Sequence, residues 1–174
     1  MSWLEVIIDG TERPIQRPKN KQRQKHSYSG KKKRHTVKNV MISERRTKKL
    51  KALSPTYAAK ASDKRIADQA HYCFPAGSRL WKALVFKGYE PEGVETYQPK
   101  KKPPKDEQTA VDKARNRVIS RVPVRVEHGL GNMNVFHIAR DVYRNHRRHS
   151  EDLRFETACE LHNFRCDYRL SYAA

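Results

Sequence analysis

Short apolar runs alternate along this chain with polar, basic and proline-containing segments. Leu4 to Ile8 is almost continuous in apolar residues, which is the pattern of a strand covered on both faces. The reading is a strand over 3–9 that ends in a carboxylate, Asp9. From 11 to 33 the residues are mostly polar or basic, and Pro14 and Pro18 interrupt any helix, so a loop or mobile arm is expected. His35 to Ile42 alternates, with Thr36 and Lys38 set against Val37, Val40 and Ile42, and a shorter run, Leu50 to Leu53, stops at Ser54-Pro55. Together these three runs predict an antiparallel meander.

Further along, Ser62-Asp63 precedes Ile66, Ala67 and Ala70 at helical spacing, which predicts a capped helix ending near His71. Pro75-Ala76-Gly77-Ser78 is turn chemistry, Leu80 to Phe86 predicts another strand, and Val94 to Gln98 a short one. Residues 99–106 form a basic, proline-stiffened linker around Lys100, Lys101 and Lys102. Val111, Ala114 and Val118 share one face of a helix predicted over 109–119. Pro123 breaks the pattern and opens either a second helix carrying Glu127 or, because Val122, Val124 and Val126 alternate, a strand. The last segment, 150–168, starts with Ser150, Glu151 and Asp152 and carries Leu153, Thr157, Leu161 and Phe164 along one side, the pattern of an amphipathic helix.

Composition narrows the partners. The chain holds 38 Lys and Arg against 19 Asp and Glu, a formal charge of +19 over 174 residues, so the excess cannot be hidden in ion pairs. A polyanion is the expected partner. No stretch approaches a spanning helix, and the basic clusters lack an accompanying Trp/Leu face, so nucleic acid is favoured over an anionic membrane. Length permits one domain with a modest core. The three cysteines, Cys73, Cys159 and Cys166, are an odd number without a CxxC pair, which points to buried thiols in the cytoplasm.

Asp9-Gly10 could by itself close a strand as a simple turn. A carboxylate next to phosphate-neutralising cations also suits metal-assisted phosphodiester chemistry, and Glu127 is a second acid that a late element could bring to the same sheet edge. Three strings make the resemblance specific: Ile8-Asp9-Gly10-Thr11-Glu12-Arg13-Pro14-Ile15, then Tyr28-Ser29-Gly30-Lys31-Lys32-Lys33-Arg34-His35-Thr36-Val37-Lys38, then Asn116 to Ser120 with Arg125-Val126-Glu127-His128. The chain resembles the DDE superfamily endonucleases, the transposases of bacterial insertion sequences, from about Leu4 to Arg169.

The resemblance implies an α/β, RNase H-like fold, a mixed sheet flanked by helices, spanning 1–174 as a single catalytic domain. In such proteins two aspartates and a glutamate hold two divalent cations, Mg²⁺ or Mn²⁺, about 3.5–4 Å apart, to stabilise both oxygens of an in-line displacement. Matched residue by residue, Asp9 takes the place of the first aspartate and Glu127 that of the glutamate, both as catalytic metal ligands. The second aspartate precedes an aromatic-x-Gly-Tyr element, here Phe86-Lys87-Gly88-Tyr89, and its matching position is Ala83. A methyl group cannot coordinate a cation. Val85 stands where the family usually has Gly, Lys87 where it has Gln, and Ser62 where it has His before the aspartate matched by Asp63. Such a cluster of departures marks a copy no longer selected for catalysis. Glu90, Glu92 and Asp68 are the acids that could stand in.

The chain begins almost at the first catalytic strand, without the N-terminal helical DNA-binding region of relatives, so a truncated catalytic core is expected. Lys31, Lys32, Lys33, Arg34, Lys100, Lys101, Lys102 and Arg125 are the candidate DNA-backbone contacts, and assembly as a homo-oligomer on DNA ends is what the family implies. A second class of function is a basic nucleic-acid-binding protein without enzymatic activity. Cys159, His162 and Cys166, with His146 and His149, could be arranged as a zinc site, but a helix through 159–166 accounts for them as packing and polar-face residues.

Overall fold

In a computed structural model, residues 5–101, 109–119, 136–145 and 150–171 are described. The strands are β1 (Glu5–Pro14), β2 (Tyr28–Ser29), β3 (Arg34–Glu44), β4 (Leu50–Leu53), β5 (Tyr57–Ala58), β6 (Arg79–Lys82) and β7 (Glu95–Tyr97). The helices are α1 (Lys21–Ser27), α2 (Asp63–Ala70), α3 (110–119), α4 (His137–Arg140) and α5 (Ser150–Ser171). The strands form one mixed sheet in the order β2-β3-β1-β6-β7, with β4 and β5 also paired to β3. β1, β3 and β4 are antiparallel neighbours, whereas β6 runs parallel to β1 and β7 parallel to β6. The α/β class and the meander are as the alternation predicts.

β1 is central because Val6, Ile7 and Ile8 are all buried. Alternation sends Val6 and Ile8 to one face, where they meet Val40, Ile42 and Leu80 beneath Ile66 and Ala67 of α2. Ile7 points to the other face and packs with Trp81 and with Ile119 at the end of α3. Next to it, Met41 and Leu50 pack with Ala139 of α4 and Phe155, Ala158 and Cys159 of α5. Helices therefore cover both faces. α2 starts as predicted, with the Ser62 hydroxyl accepting the Arg65 N–H, and ends on His71 in a left-handed conformation.

Several boundaries differ from the sequence reading. β1 does not stop at Asp9 but continues to Pro14, paired residue for residue with β3 down to Pro14 opposite Thr36. Its second half is polar and was read as a loop; backbone pairing to β3 makes it a strand. Asp9-Gly10 is therefore no turn, since Gly10 lies in the ladder opposite Val40. The supposed arm over 11–33 holds this half-strand, α1 capped by the Asn20 side chain, and β2. Leu80 to Phe86 is a strand only to Lys82, followed by a 3-10 turn over Leu84–Phe86. Cys159 is buried, but Cys73 is exposed.

α5 forms over the expected span, but with a different face inward. Leu153, Leu161 and Phe164 are exposed, and Phe155, Ala158, Cys159 and His162 are buried. The helix phase is set by polar side chains that satisfy backbone groups at the sheet edge. Asn163 bridges the Leu50 N–H (2.7 Å) and carbonyl (3.0 Å), His162 meets the Lys48 carbonyl (3.1 Å), and Asp152 accepts the Thr56 N–H (2.8 Å). Leaving such groups unpaired costs more than exposing a few apolar side chains.

Candidate functional site

Asp9 lies within β1, paired across the ladder with Met41, and its Oδ1 accepts the N–H of Gly10 at 2.7 Å. The β6 ladder covers β1 only through Ile8, which pairs with Lys82. Asp9 is thus the first β1 residue past that coverage, and Ala83 is the first residue past Lys82 on the neighbouring parallel strand. Register alone brings the two positions to the same level of the sheet. Ala83 is partly buried; its carbonyl accepts the Gln98 side-chain amide at 2.8 Å and the Phe86 N–H at 3.1 Å.

Of the acids that could stand in at this position, Glu90 and Asp68 are committed elsewhere. Glu90 pairs through a very short contact with Lys82, whose ammonium also donates to the Tyr89 carbonyl at 2.6 Å, and accepts the Thr96 hydroxyl at 2.5 Å. The hydrogen bond from Lys82 holds the Glu90 carboxyl below its ordinary range. Asp68 is bound by Lys64 one helical turn away at 2.6 Å, and Glu92 is exposed on the turn before β7. Glu127 and Arg125 lie outside the described residues, as do Lys102, His146 and His149.

On the opposite face, Gly10 makes room for another carboxylate. A Cβ built there would sit 3.2 Å from the Asp63 Cγ and 3.3 Å from both its oxygens. The absent side chain is what lets α2 begin against the sheet. Lys38 holds this corner together, 3.4 Å from Glu12 and 3.2 Å from Asp63. Sequence reasoning identified Gly10 only as a turn residue; the close approach was not legible because Asp63 comes from a distant segment.

Among the described residues there is no group of three or more His, Cys, Asp or Glu side chains able to hold a metal ion. An oxygen donor such as Asp9 suits Mg²⁺ or Mn²⁺ chemically. With a methyl group at position 83, the residues described do not make a divalent-cation site. Of the zinc grouping, the Cys166 Sγ contacts His162 Nε2 at 3.4 Å and Cys159 is a buried thiol whose pKa burial pushes up to about 12, while His146 and His149 lie outside the described residues.

The basic candidates divide. Lys31, Lys32, Lys33 and Arg34 are exposed on the turn joining β2 to β3, with Lys33 in a left-handed conformation at φ 54°. Lys100 is instead tied to α3, its ammonium 2.7 Å from Asp112 and its backbone N–H and carbonyl bonded to the Asn116 side chain at 2.8 and 2.9 Å. It is an anchor rather than part of a solvated linker; Lys101 beside it is exposed. Arg144, which opens the basic run 144–148 of the sequence, and Arg140, which the sequence reading did not single out, join Arg34, Pro14, Asp141 and Val142 around an open cleft of about 540 Å³. No helix of the described residues is long and apolar enough to cross a membrane.

The described residues thus form a mixed α/β sheet with an acid in its central strand and basic clusters at its edges, and comparison with known proteins gives the class. The chain belongs to the DDE superfamily endonucleases, whose family profile matches residues 8–163. It is similar to a protein described as the probable transposase for insertion sequence element IS702 from Microchaete diplosiphon, with 32% identity over 149 residues. That match covers 82% of this chain and 51% of the relative, so the chain spans about half the relative's length. No solved structure matches the chain significantly.

Proposed function

We propose that this chain is the RNase H-like catalytic core of an insertion-sequence transposase that engages DNA but has lost divalent-metal-dependent strand cleavage and transfer at Ala83. The observation that carries the reading is the register between β1 and β6, which brings the position after Lys82 level with Asp9. Three antiparallel strands followed by two parallel ones, in the order β4-β3-β1-β6-β7, support the fold assignment. Ile7 packs against Ile119, the last described residue of α3. Eight residues further on stands Glu127, a separation that a helix or a strand can span to reach Asp9.

Asp9 and Glu127 remain as the acids of the site. DDE superfamily endonucleases generally depend on divalent metal, and a donor set missing one of three carboxylates holds such a cation weakly. No catalytic step is therefore derived for the chain as it stands. The role left to it is binding DNA in the cytoplasm, alone or as a homo-oligomer at element ends, through its excess of cations.

Nicking of supercoiled plasmid with Mg²⁺ or Mn²⁺ tests the proposal. The natural chain is expected to leave the plasmid intact, Ala83→Asp to restore metal binding and nicking, and Asp9→Ala in that background to abolish both. Unchanged metal affinity in Ala83→Asp would overturn the assignment of position 83. Nicking by the natural chain that Asp9→Ala removes would overturn the claim of lost activity. The charge of +19 favours one second reading, a nucleic-acid-binding protein with no enzymatic ancestry in its site; salt-sensitive binding with no gain in Ala83→Asp is its signature.

A further inference from the structure

We infer that Arg34, Arg140 and Arg144 form a cradle for a backbone phosphate of DNA that runs from Asp9 along the edge of β1 with which no described strand pairs. The inference rests on the transposase reading and adds to it a second point of contact, remote from the acids.

The placement follows from backbone pairing. β6 covers one edge of β1 only as far as Ile8. The next partner on the chain's far side is the segment after α4: the Tyr143 N–H donates to the Pro14 carbonyl at 3.0 Å, the Gln16 N–H donates to the Tyr143 carbonyl at 2.9 Å, and Ile15 and Tyr143 form a parallel bridge. Between these two attachments, no strand among the described residues pairs with that edge. At one end stands Asp9. At the other, the clip through Tyr143 holds Arg140 and Arg144 opposite Arg34 at the start of β3, across the 540 Å³ cleft.

Chemistry names the ligand. Three guanidinium groups and one carboxylate line the cleft. Asp141 is engaged locally, 3.2 Å from His137 and 3.4 Å from the Arg140 Nε. The balance stays positive by two charges, three minus one. Arginine forks suit planar or tetrahedral oxyanions, and the described lining offers only Pro14 and Val142 as apolar surface and no aromatic ring, unlike a small-molecule pocket. Asp9 and Pro14 are five residues apart, roughly 17 Å at about 3.3 Å per residue. With one phosphate per strand about every 3.4 Å of the B-form helix axis, a duplex laid parallel to β1 puts the cradle roughly five base pairs from the acid. Arg34 and Arg144, far apart in sequence, thus converge on one cleft.

The test is fluorescence anisotropy with a short labelled duplex in EDTA, so that cleavage and metal binding play no part, across a salt series. Arg34→Ala/Arg140→Ala/Arg144→Ala is compared with Lys60→Ala/Lys64→Ala/Arg65→Ala, which removes equal charge on and beside α2. All three cleft arginines are exposed, so an unchanged melting curve is expected to verify folding. The cleft variant should lower the slope of log affinity against log salt by roughly 2, about 1 each for Arg34 and Arg144, because Arg140 is already paired with Asp141, and the α2 variant by clearly less. Equal losses in the two variants, with the natural chain still binding, would overturn the cradle and leave the transposase reading standing. Failure of the natural chain to bind DNA would overturn both.

Discussion

Arg13 is the side chain on which the docking of α5 depends, and its removal is open to quantitative test. It lies in the second half of β1 with only 6% of its surface exposed. One guanidinium nitrogen donates to the Asn39 Oδ1 at 2.6 Å and to the Thr56 Oγ1 at 3.1 Å; the other reaches the Glu151 carbonyl at 3.5 Å, and the plane lies 3.9 Å above the Phe155 ring. Asn39 passes the connection on to the Ser54 carbonyl at 2.8 Å, and the Thr56 N–H ends on Asp152 of α5. Strands β1 and β3, the segment before β5 and the first turns of α5 are thus joined at one cation.

That cation is costly to bury. Desolvation lowers the Arg13 pKa to about 10, against the partial compensation of Glu151 and Asp152, which corresponds to a cost of roughly 3 kcal/mol. Its Nε has no partner. Against this stand two short hydrogen bonds to a charged donor, about 1.5–3 kcal/mol each, and stacking on Phe155 of about 1–2 kcal/mol. The favourable side leads, so Arg13→Met, which keeps the stem volume, should destabilise the fold by roughly 1–3 kcal/mol. Arg13→Ala also leaves a cavity beside Phe155 and should cost roughly 2 kcal/mol more. Urea unfolding gives both values, and amide exchange over 150–160 should show early loss of protection if α5 is what detaches. A methionine variant equal to or more stable than the natural chain would refute the reasoning, because desolvation would then outweigh the hydrogen bonds.

Two other substitutions probe the packing around the site. Gly10→Ala drives a methyl group to 3.2 Å from the Asp63 Cγ and should destabilise the fold by roughly 1–3 kcal/mol; an unchanged or raised melting temperature would contradict the close approach of α2. His162 is held neutral by burial, which lowers its pKa below the ordinary histidine value. The unfolded chain therefore binds more protons over that window, and stability should fall as pH drops from neutral to about pH 5. Urea midpoints across that range should flatten in His162→Gln, and an equal slope in both proteins would exclude His162 as the group responsible.

What could be read from the sequence follows from which signals are local. The antiparallel strands were legible because Val37, Val40 and Ile42 alternate and Val6 to Ile8 is continuous, and α2 because Ser62 caps it. The parallel pairing of β6 with β1 carries no local signal, since it depends on a crossover through α2, and the position of Ala83 beside Asp9 was approachable only through the Phe86-Lys87-Gly88-Tyr89 string. The second half of β1 was missed because its side chains are polar while its backbone bonds are those of a strand. For α5 the span was legible and the phase was not: Asn163, His162 and Asp152, which decide it, look like surface residues until the carbonyls and N–H groups they satisfy are known. Arg140 sits in a four-residue helix too short to show a pattern.

The distribution of ion pairs then decides where a polyanion meets this surface. Net charge alone predicts binding anywhere, because basic runs at 31–34, 45–51, 100–105 and 144–148 look alike in the sequence. Within 45–51 three of the five cations are spent on structure, Arg45 on Glu5 at 2.6 Å, Lys51 on Glu44 at 3.0 Å, and Lys49 on Asp167 of α5, while Arg46 and Lys48 are exposed. Lys100 is spent on Asp112. Among the described residues, Lys31, Lys32, Lys33, Arg34 and Arg144 have no such carboxylate, and all are exposed. A cation already paired at the surface releases few counterions when DNA arrives, whereas an unpaired one contributes its full share. Unpaired cations at the β2–β3 turn and at the cleft beside Pro14 therefore add to the field that attracts DNA, at the far end of the same strand that carries Asp9.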